Sequence, residues 1–272
     1  MPPTKLPLLA FFALVALTGL VVLLATMERS LIYFPVRALD AKPSDFGLKA
    51  EDLKLETEDG VRLHAWWIRS GGRRAVLFFH GNAGNISHRL ERAKLLAEGL
   101  GLDILLLDYR GFGLSEGQPS EAGLYRDARS AYKAATDRGL PPNRILLFGE
   151  SLGSSVALQL ALDRPCAGVV LETPFLSVPA LARKYYPFVP GFVIRSRFDN
   201  EKKIARLAVP KLIIAAEEDE IVPLSHARRL FELAPPPKEL FVIPRAGHND
   251  TYLVGGERYL ETWRRFLAAL PS

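Results

Sequence analysis

The hydrophobic positions of this chain change period along its length, and each change predicts an element. Leu6 to Met27 carries no charged residue over 22 positions, so the run has no polar face. At about 1.5 Å per residue, a helix of that length spans the roughly 30 Å hydrocarbon core of a membrane. The apolar part of a cleaved secretory signal is shorter, about 7 to 15 residues, and ends at a small-x-small site. "LLATMERS" offers no such site, so an uncleaved N-terminal transmembrane helix over 1–27 is the expectation. Tyr33 and Phe34 in "SLIYFP" are placed to sit among lipid headgroups. Lys5 flanks one end of the run and Arg29, Arg37 and Lys42 the other, which leaves the side of the membrane open.

After a linker at 28–50 the period shifts to that of an α/β domain over 51–272. "LKLETEDGVRLHAWWIR" alternates apolar and polar residues on both sides of Asp59-Gly60, a hairpin signal. "AVLFFHG", "LDILLLDYRG", "RILLFGES", "AGVVLETPF", "KLIIAAEED" and "ELFVIPRAGH" are apolar runs of the kind that strands covered on both faces require. Between them helical periodicity predicts helices over Ser87–Gly99, Glu121–Arg138, Leu152–Leu162, Ser225–Ala234 and Glu257–Leu270. Strand and helix in alternation imply a mostly parallel sheet with helices on both faces. Residues 176–209 break the rhythm. They are rich in proline and in Tyr185, Tyr186, Phe188, Phe192 and Phe198, and read either as a short cap insertion over a site or as a surface helix pair with its own small core.

Composition changes the picture little. Forty-nine per cent hydrophobic and 24% charged residues make a globular domain. Net charge is +5, but the basic residues are scattered without a stripe of interleaved aromatics, which argues against nucleic-acid binding. The lone Cys166 excludes an intramolecular disulfide and a cysteine metal site, and after Pro165 it reads as a buried strand position. No cofactor is implied.

The candidate chemistry falls at strand ends, where open α/β sheets bind ligands. "GESLGS" puts Ser151 between Gly149 and Gly153, after a strand and before a helix. That context fits a nucleophile elbow, whose flanking glycines leave room for a sharp turn; a plain serine in a glycine loop is the alternative. In "AEEDEIVP" Asp219 lies nearest the expected turn, with Glu217, Glu218 and Glu220 beside it, and Glu172 ends the preceding strand as another possible acid. A carboxylate there can orient an imidazole and stabilise its cation. His248 in "PRAGHND" follows the last strand and can serve as general base. His64, His88 and His226 read as structural or surface residues. "HGNAGN" after the "AVLFF" strand is a loop that could aim the N–H of Asn82 at an oxyanion, with the N–H of Leu152 as second donor and His80 as a brace.

Together "FFHGNAGNISHRL", "LLLDYRGFGLSEG", "GESLGS" and "AGHND" resemble the α/β-hydrolase family, and within it the membrane-anchored branch that includes ABHD-type acyl-protein depalmitoylases. The resemblance runs from about Leu31 to the C-terminal helix. It implies an α/β-hydrolase fold with an eight-stranded sheet, Ser151, Asp219 and His248 as a triad, and Asn82 and Leu152 as oxyanion donors. "DYRGFGLSEG" would shape a loop beside the site. The depalmitoylases attach through a cysteine-rich segment where this chain has a hydrophobic run, so substrate identity does not carry over.

The expected activity is that of a membrane-anchored serine hydrolase cleaving esters or thioesters, with small-molecule, lipid or acyl substrates and the membrane as partners. A serine peptidase of the same fold and a catalytically silent, membrane-tethered binding protein are the alternatives.

Overall fold

The structure, a computed structural model, describes residues 27–187 and 189–271, together with Phe11, Phe12, Val15 and Gly19. The expected transmembrane helix therefore lies outside the described residues, apart from those four and Met27. Among the described residues no helix is long and apolar enough to cross a membrane.

The Asp59-Gly60 hairpin forms as its sequence requires. Gly60 takes φ +75°, and strands β1 (Ala50–Glu56) and β2 (Arg62–Ile68) pair antiparallel across it. The remaining strands are β3 (Ala75–Phe79), β4 (Asp103–Leu107), β5 (Ile145–Glu150), β6 (Gly168–Glu172), β7 (Lys211–Ala216) and β8 (Lys238–Ile243). They complete an eight-stranded sheet in the order β8-β7-β6-β5-β3-β4-β2-β1. β2 runs antiparallel to β4, and every pairing from β4 to β8 is parallel.

Alternate residues of each central strand feed two separate cores, which is why the runs read as continuously apolar. Ala75, Leu77 and Phe79 face one core with Ile145 and Leu147; Val76 and Phe78 face the other with Leu146 and Phe148. The first is closed by α2 (Glu121–Asp137) and α3 (Leu152–Asp163), the second by α1 (Leu90–Leu100) and the C-terminal helix. On the second face Phe148 stacks 4.5 Å from Phe78 and 5.3 Å from Trp263, ring centre to ring centre. Truncating such a side chain to alanine costs about 3–5 kcal/mol. α3 is buried along most of its length, so Ser151 at its start sits on one of the most tightly held parts of the molecule.

Five local readings are corrected. The helix expected from Ser87 begins instead as a 3-10 turn (Ile86–Arg89), because the Asn85 side chain accepts the Ser87 N–H at 2.9 Å. The last helix starts six residues early, as α7 (Thr251–Ala268), with a kink at Gly256 where φ is +48°. Cys166 is only half-buried and precedes β6 rather than lying in it. Tyr33 is buried, its ring 6.5 Å from that of Phe198, so it packs into the domain and is not available to headgroups. The stretch read as a linker is ordered against the domain. Residues 27–32 are helical, Phe34–Pro35 pairs with Ala83–Gly84, and a 3-10 turn (Pro43–Phe46) precedes β1. Between α4 (Val178–Tyr185) and α5 (Asn200–Ile204) the cap stretch has no regular element among its described residues. α6 (Leu224–Leu233) lies where it is expected.

Candidate active site

β5 delivers Ser151 directly into α3 with no intervening loop. The serine backbone takes φ +52° and ψ −113°, a strained conformation that points its side chain out of the turn. The flanking glycines are sterically required. A Cβ on Gly149 would lie 2.1 Å from the Gly153 carbonyl oxygen, and one on Gly153 would lie 1.9 Å from that of Phe79. The Ser151 N–H donates to the Glu172 carbonyl at 2.9 Å, which fixes the turn to β6.

His248, from the loop after β8, brings Nε2 to 2.9 Å from Ser151 Oγ. Its Nδ1 lies 2.9 and 2.8 Å from the two carboxylate oxygens of Asp219, in the loop after β7. A carboxylate only accepts, so Nδ1 carries the hydrogen and Nε2 is left to accept the serine hydroxyl. Both side chains are nearly fully buried. Asp219 is itself held by the N–H groups of Ile221 (2.9 Å) and Val222 (2.6 Å).

The acidic neighbours have other partners. Glu220 accepts the His248 backbone N–H at 3.0 Å, and Glu217 that of Arg245 at 3.3 Å. Glu218 is exposed. Glu172, the other possible acid, faces away from His248. It accepts from Arg92 (2.7 Å), Thr251 (2.5 Å) and Tyr259 (2.7 Å) in the core behind the sheet end.

The loop after β3 passes beside the serine, where a Cβ on Gly81 would lie 3.7 Å from Ser151 Cβ. Asn82 is anchored outward, its side-chain amide donating to the Ile32 carbonyl at 2.7 Å and its carbonyl accepting the Phe34 N–H at 2.8 Å. Leu152 opens α3, where a helix N–H has no acceptor within the helix. The "DYRGFG" motif holds this loop from below. Tyr109 donates to the His80 carbonyl at 3.0 Å, and Asp108 accepts the Ile86 N–H at 3.0 Å. Burial alone would raise the pKa of Asp108, but His64, His80 and that N–H keep it below the usual carboxylate range. His80 is fully buried against Asp108, Tyr109 and Phe112, in a bracing position. His64 faces Asp52, His88 faces Asp40, and His226 meets the Leu176 N–H; none of the three lines the cavity over Ser151.

Sequence reasoning missed a buried ionic cluster under the elbow. Glu150 faces Arg89 (3.3 Å) and Arg92 (3.1 Å), and Arg92 also binds Glu172. Burial pushes the pKa of Glu150 up, but the two guanidiniums outweigh it and hold the group ionised, below the ordinary glutamate range. Glu150 and Arg89 lie in the quoted motifs and Arg92 just beyond one, yet no spacing rule pairs positions 80 residues apart, as Arg92 and Glu172 are.

Above Ser151 and His248 lies a cavity of about 670 Å³. Its walls are largely apolar and come from two places: Leu31, Ile32 and Phe34 near the N-terminus, and Leu181, Val189 and Val193 of the cap stretch. The cap is tied to the loop carrying Asp219, since the Tyr185 hydroxyl donates to the Ile221 carbonyl at 2.7 Å.

This fold and strand-end constellation are those of an α/β hydrolase, and comparison with known proteins agrees. A family model described as "Serine aminopeptidase, S33" matches residues 71–196. The "Alpha/beta hydrolase domain-containing protein WAV2" of Arabidopsis thaliana is 35% identical over 91% of this chain and 89% of its own length. An uncharacterized protein of Mycobacterium tuberculosis is 42% identical over 96% of this chain and 94% of its own. Among solved structures, an esterase of Pyrococcus furiosus superposes with a TM-score of 0.74 at 23% identity, covering 89% of this chain and 99% of that one. The chain belongs to the α/β-hydrolase family, and it is an enzyme of the hydrolase class.

Proposed function

We propose that the enzyme is a membrane-anchored serine hydrolase that cleaves carboxylic ester or thioester bonds of acyl substrates. The observation that carries this reading is the unbroken line from Ser151 Oγ through the His248 ring to Asp219, opening into an apolar cavity. In this reading Ser151 Oγ attacks the acyl carbon as His248 Nε2 takes its proton, and Asp219 stabilises the imidazolium. The N–H groups of Leu152 and Asn82 bind the developing oxyanion, aided by the positive end of the α3 dipole. One such donor contributes roughly 3–4 kcal/mol of transition-state stabilisation. His248 returns the proton to the leaving alcohol or thiol, and water then attacks the acyl-serine by the same route. The apolar walls suit an acyl chain, and the structural likeness to an esterase is consistent with ester chemistry. The anchor reading rests on the uncharged run Leu6–Met27, which also supports kinship with the membrane-anchored branch.

The matched family model favours one other reading, an aminopeptidase. Such an enzyme needs a carboxylate free to hold the substrate's ammonium. Among the described residues the carboxylates lining the cavity are Glu28 and Glu150. Glu150 is neutralised by Arg89 and Arg92, and Glu28 is engaged by two backbone N–H groups. Ester chemistry is therefore the stronger reading.

The test is covalent labelling by a fluorophosphonate probe, which needs an activated serine. Wild type should label and Ser151→Ala should not, while both melt at the same temperature. Labelling that persists in Ser151→Ala, or that never occurs in a folded wild type, removes the reading; the latter result would favour a binding protein on a hydrolase scaffold.

A further inference from the structure

The rim of the cavity is unusual for a surface in water. Met27, Leu31, Phe34, Tyr186 and Phe192 are all exposed there, Phe192 to 84%. The first four also line the cavity, and Phe192 adjoins Val193, which does. Contiguous apolar surface of this kind marks a contact site. Three observations identify what covers it.

The first is where the apolar run ends. The uncharged stretch from Leu6 closes at Met27, and Met27 is itself a wall of the cavity. The second is a carboxylate latch. Glu28, the next residue, accepts the backbone N–H groups of Arg195 (2.9 Å) and Ser196 (2.6 Å). The chain leaving the apolar run is thereby fastened to the cap within one residue, so the rim lies within about a helical turn of that run's end. The third is charge. Residues 27–37 and 173–198 carry Arg29, Arg37, Arg183, Lys184, Arg195 and Arg197 against the single acid Glu28. All six basic residues are exposed. Aromatic side chains flanked by basic ones on a surface continuous with an apolar run match the interface of an anionic bilayer.

We propose that this rim docks on an anionic lipid bilayer, so that the substrate is a bilayer-resident acyl lipid that enters the cavity directly from the membrane. The hydrolytic part of this proposal rests on the reading above; the docking stands on the rim alone.

The experiment uses the full chain in vesicles of phosphatidylcholine, with and without phosphatidylserine. On a Cys166→Ser background, Phe34→Cys, Phe192→Cys and Lys133→Cys each receive one environment-sensitive fluorophore, and quenching by doxyl-labelled lipid is read. Lys133 lies near the C-terminal end of α2, where a helix between parallel strands is farthest from the site. Labels at 34 and 192 should be quenched, more strongly with phosphatidylserine, and the label at 133 should not. An unquenched label at 192 on a chain that stays with the vesicles after a salt wash overturns the docking. So does a label at 192 that is shielded from water but blind to lipid quencher, which would mean that a second protein copy covers the rim.

A second arm reads turnover. Phe192→Ser should hydrolyse a short water-soluble ester like wild type but a vesicle-embedded long-chain ester about tenfold more slowly. Equal rates on both substrates overturn lateral entry. If no form hydrolyses any ester, the hydrolytic reading fails, and the quenching pattern still decides the docking.

Discussion

Asp219 reaches His248 with both carboxylate oxygens within 2.9 Å of Nδ1, and its Oδ1 also accepts the backbone N–H groups of Ile221 and Val222. Such a carboxylate can neither rotate nor be replaced by its acidic neighbours. Changing Asp219 to asparagine presents an amide to Nδ1 and favours the wrong tautomer, so kcat should fall about 10⁴-fold. Glu217→Gln and Glu218→Gln alter solvated charges and should stay within about tenfold of wild type. Glu220→Gln keeps an acceptor for the His248 N–H and should behave the same way. Measuring kcat for the four variants on one activated ester decides it; a near-normal rate in Asp219→Asn removes Asp219 from the mechanism.

Glu172 is the buried carboxylate against which the proposed role of Asp219 can be tested. It binds Arg92, Thr251 and Tyr259 and does not approach His248. Glu172→Gln leaves Arg92 short of a buried counter-charge, a change that costs about 3–5 kcal/mol. A lowered melting temperature with a kcat near wild type is the expected pair of results. A collapse of kcat without loss of stability would move the acid to this strand.

Glu150 gives a pH signature. Its folded-state pKa lies below the unfolded glutamate value because Arg89 and Arg92 overcome the cost of burial. A depressed carboxylate contributes stability that is fully present above the unfolded pKa, about 4.3, and is lost as pH falls through the folded value. Denaturant midpoints of wild type and Glu150→Gln should therefore differ most at neutral pH and converge only as pH falls below the unfolded value and through the lower folded one. A gap that stays constant with pH would show that the ion pairing has no part in it.

Gly153 tests the elbow by steric means. An alanine methyl would lie 1.9 Å from the Phe79 carbonyl oxygen and 2.7 Å from that of His80, both backbone atoms of a central strand end. Gly153→Ala should destabilise by about 3 kcal/mol or more, read as a thermal shift, and should lose probe labelling at temperatures where wild type labels fully. Unchanged melting would mean that the turn between β5 and α3 is looser than the structure describes.

Removing residues 1–26 while keeping Met27 and Glu28 tests the anchor separately from the rim. The shortened protein should leave membranes in a salt wash, where the full chain requires detergent, and should keep its rate on a water-soluble ester. A shortened chain that still requires detergent places the tight attachment in the domain itself.

Much of this architecture was legible because its signals are local. Val76 and Phe78 alternate with Leu77 and Phe79 between two cores, and that alternation is what an unbroken apolar run in a parallel sheet encodes. The elbow was legible for the same reason, since Gly149, Ser151 and Gly153 fall within five consecutive positions and the steric demand lies among them and the adjoining strand. What stayed hidden depends on distant partners. Arg92 meets Glu172 across 80 residues, and nothing in the composition of α1 marks that arginine as buried. Tyr33 sits in a segment that looks amphipathic, and only packing against Phe198 reveals which way its ring turns. The early start of α7 escaped notice because Gly255-Gly256 reads as a break, whereas the chain kinks there and continues.

The two-source walls of the cavity have an evolutionary consequence. Ser151, His248 and Asp219 depend on the sheet and on α3, whereas Leu31, Phe34, Leu181 and Val193 belong to segments that contribute no strand to that sheet. Substitutions in the walls can reshape the space offered to a substrate while Ser151, His248 and Asp219 keep their spacing. Lineages carrying this fold can therefore drift in the size and shape of the groups they accept, with selection on specificity and selection on rate falling on different stretches of the gene.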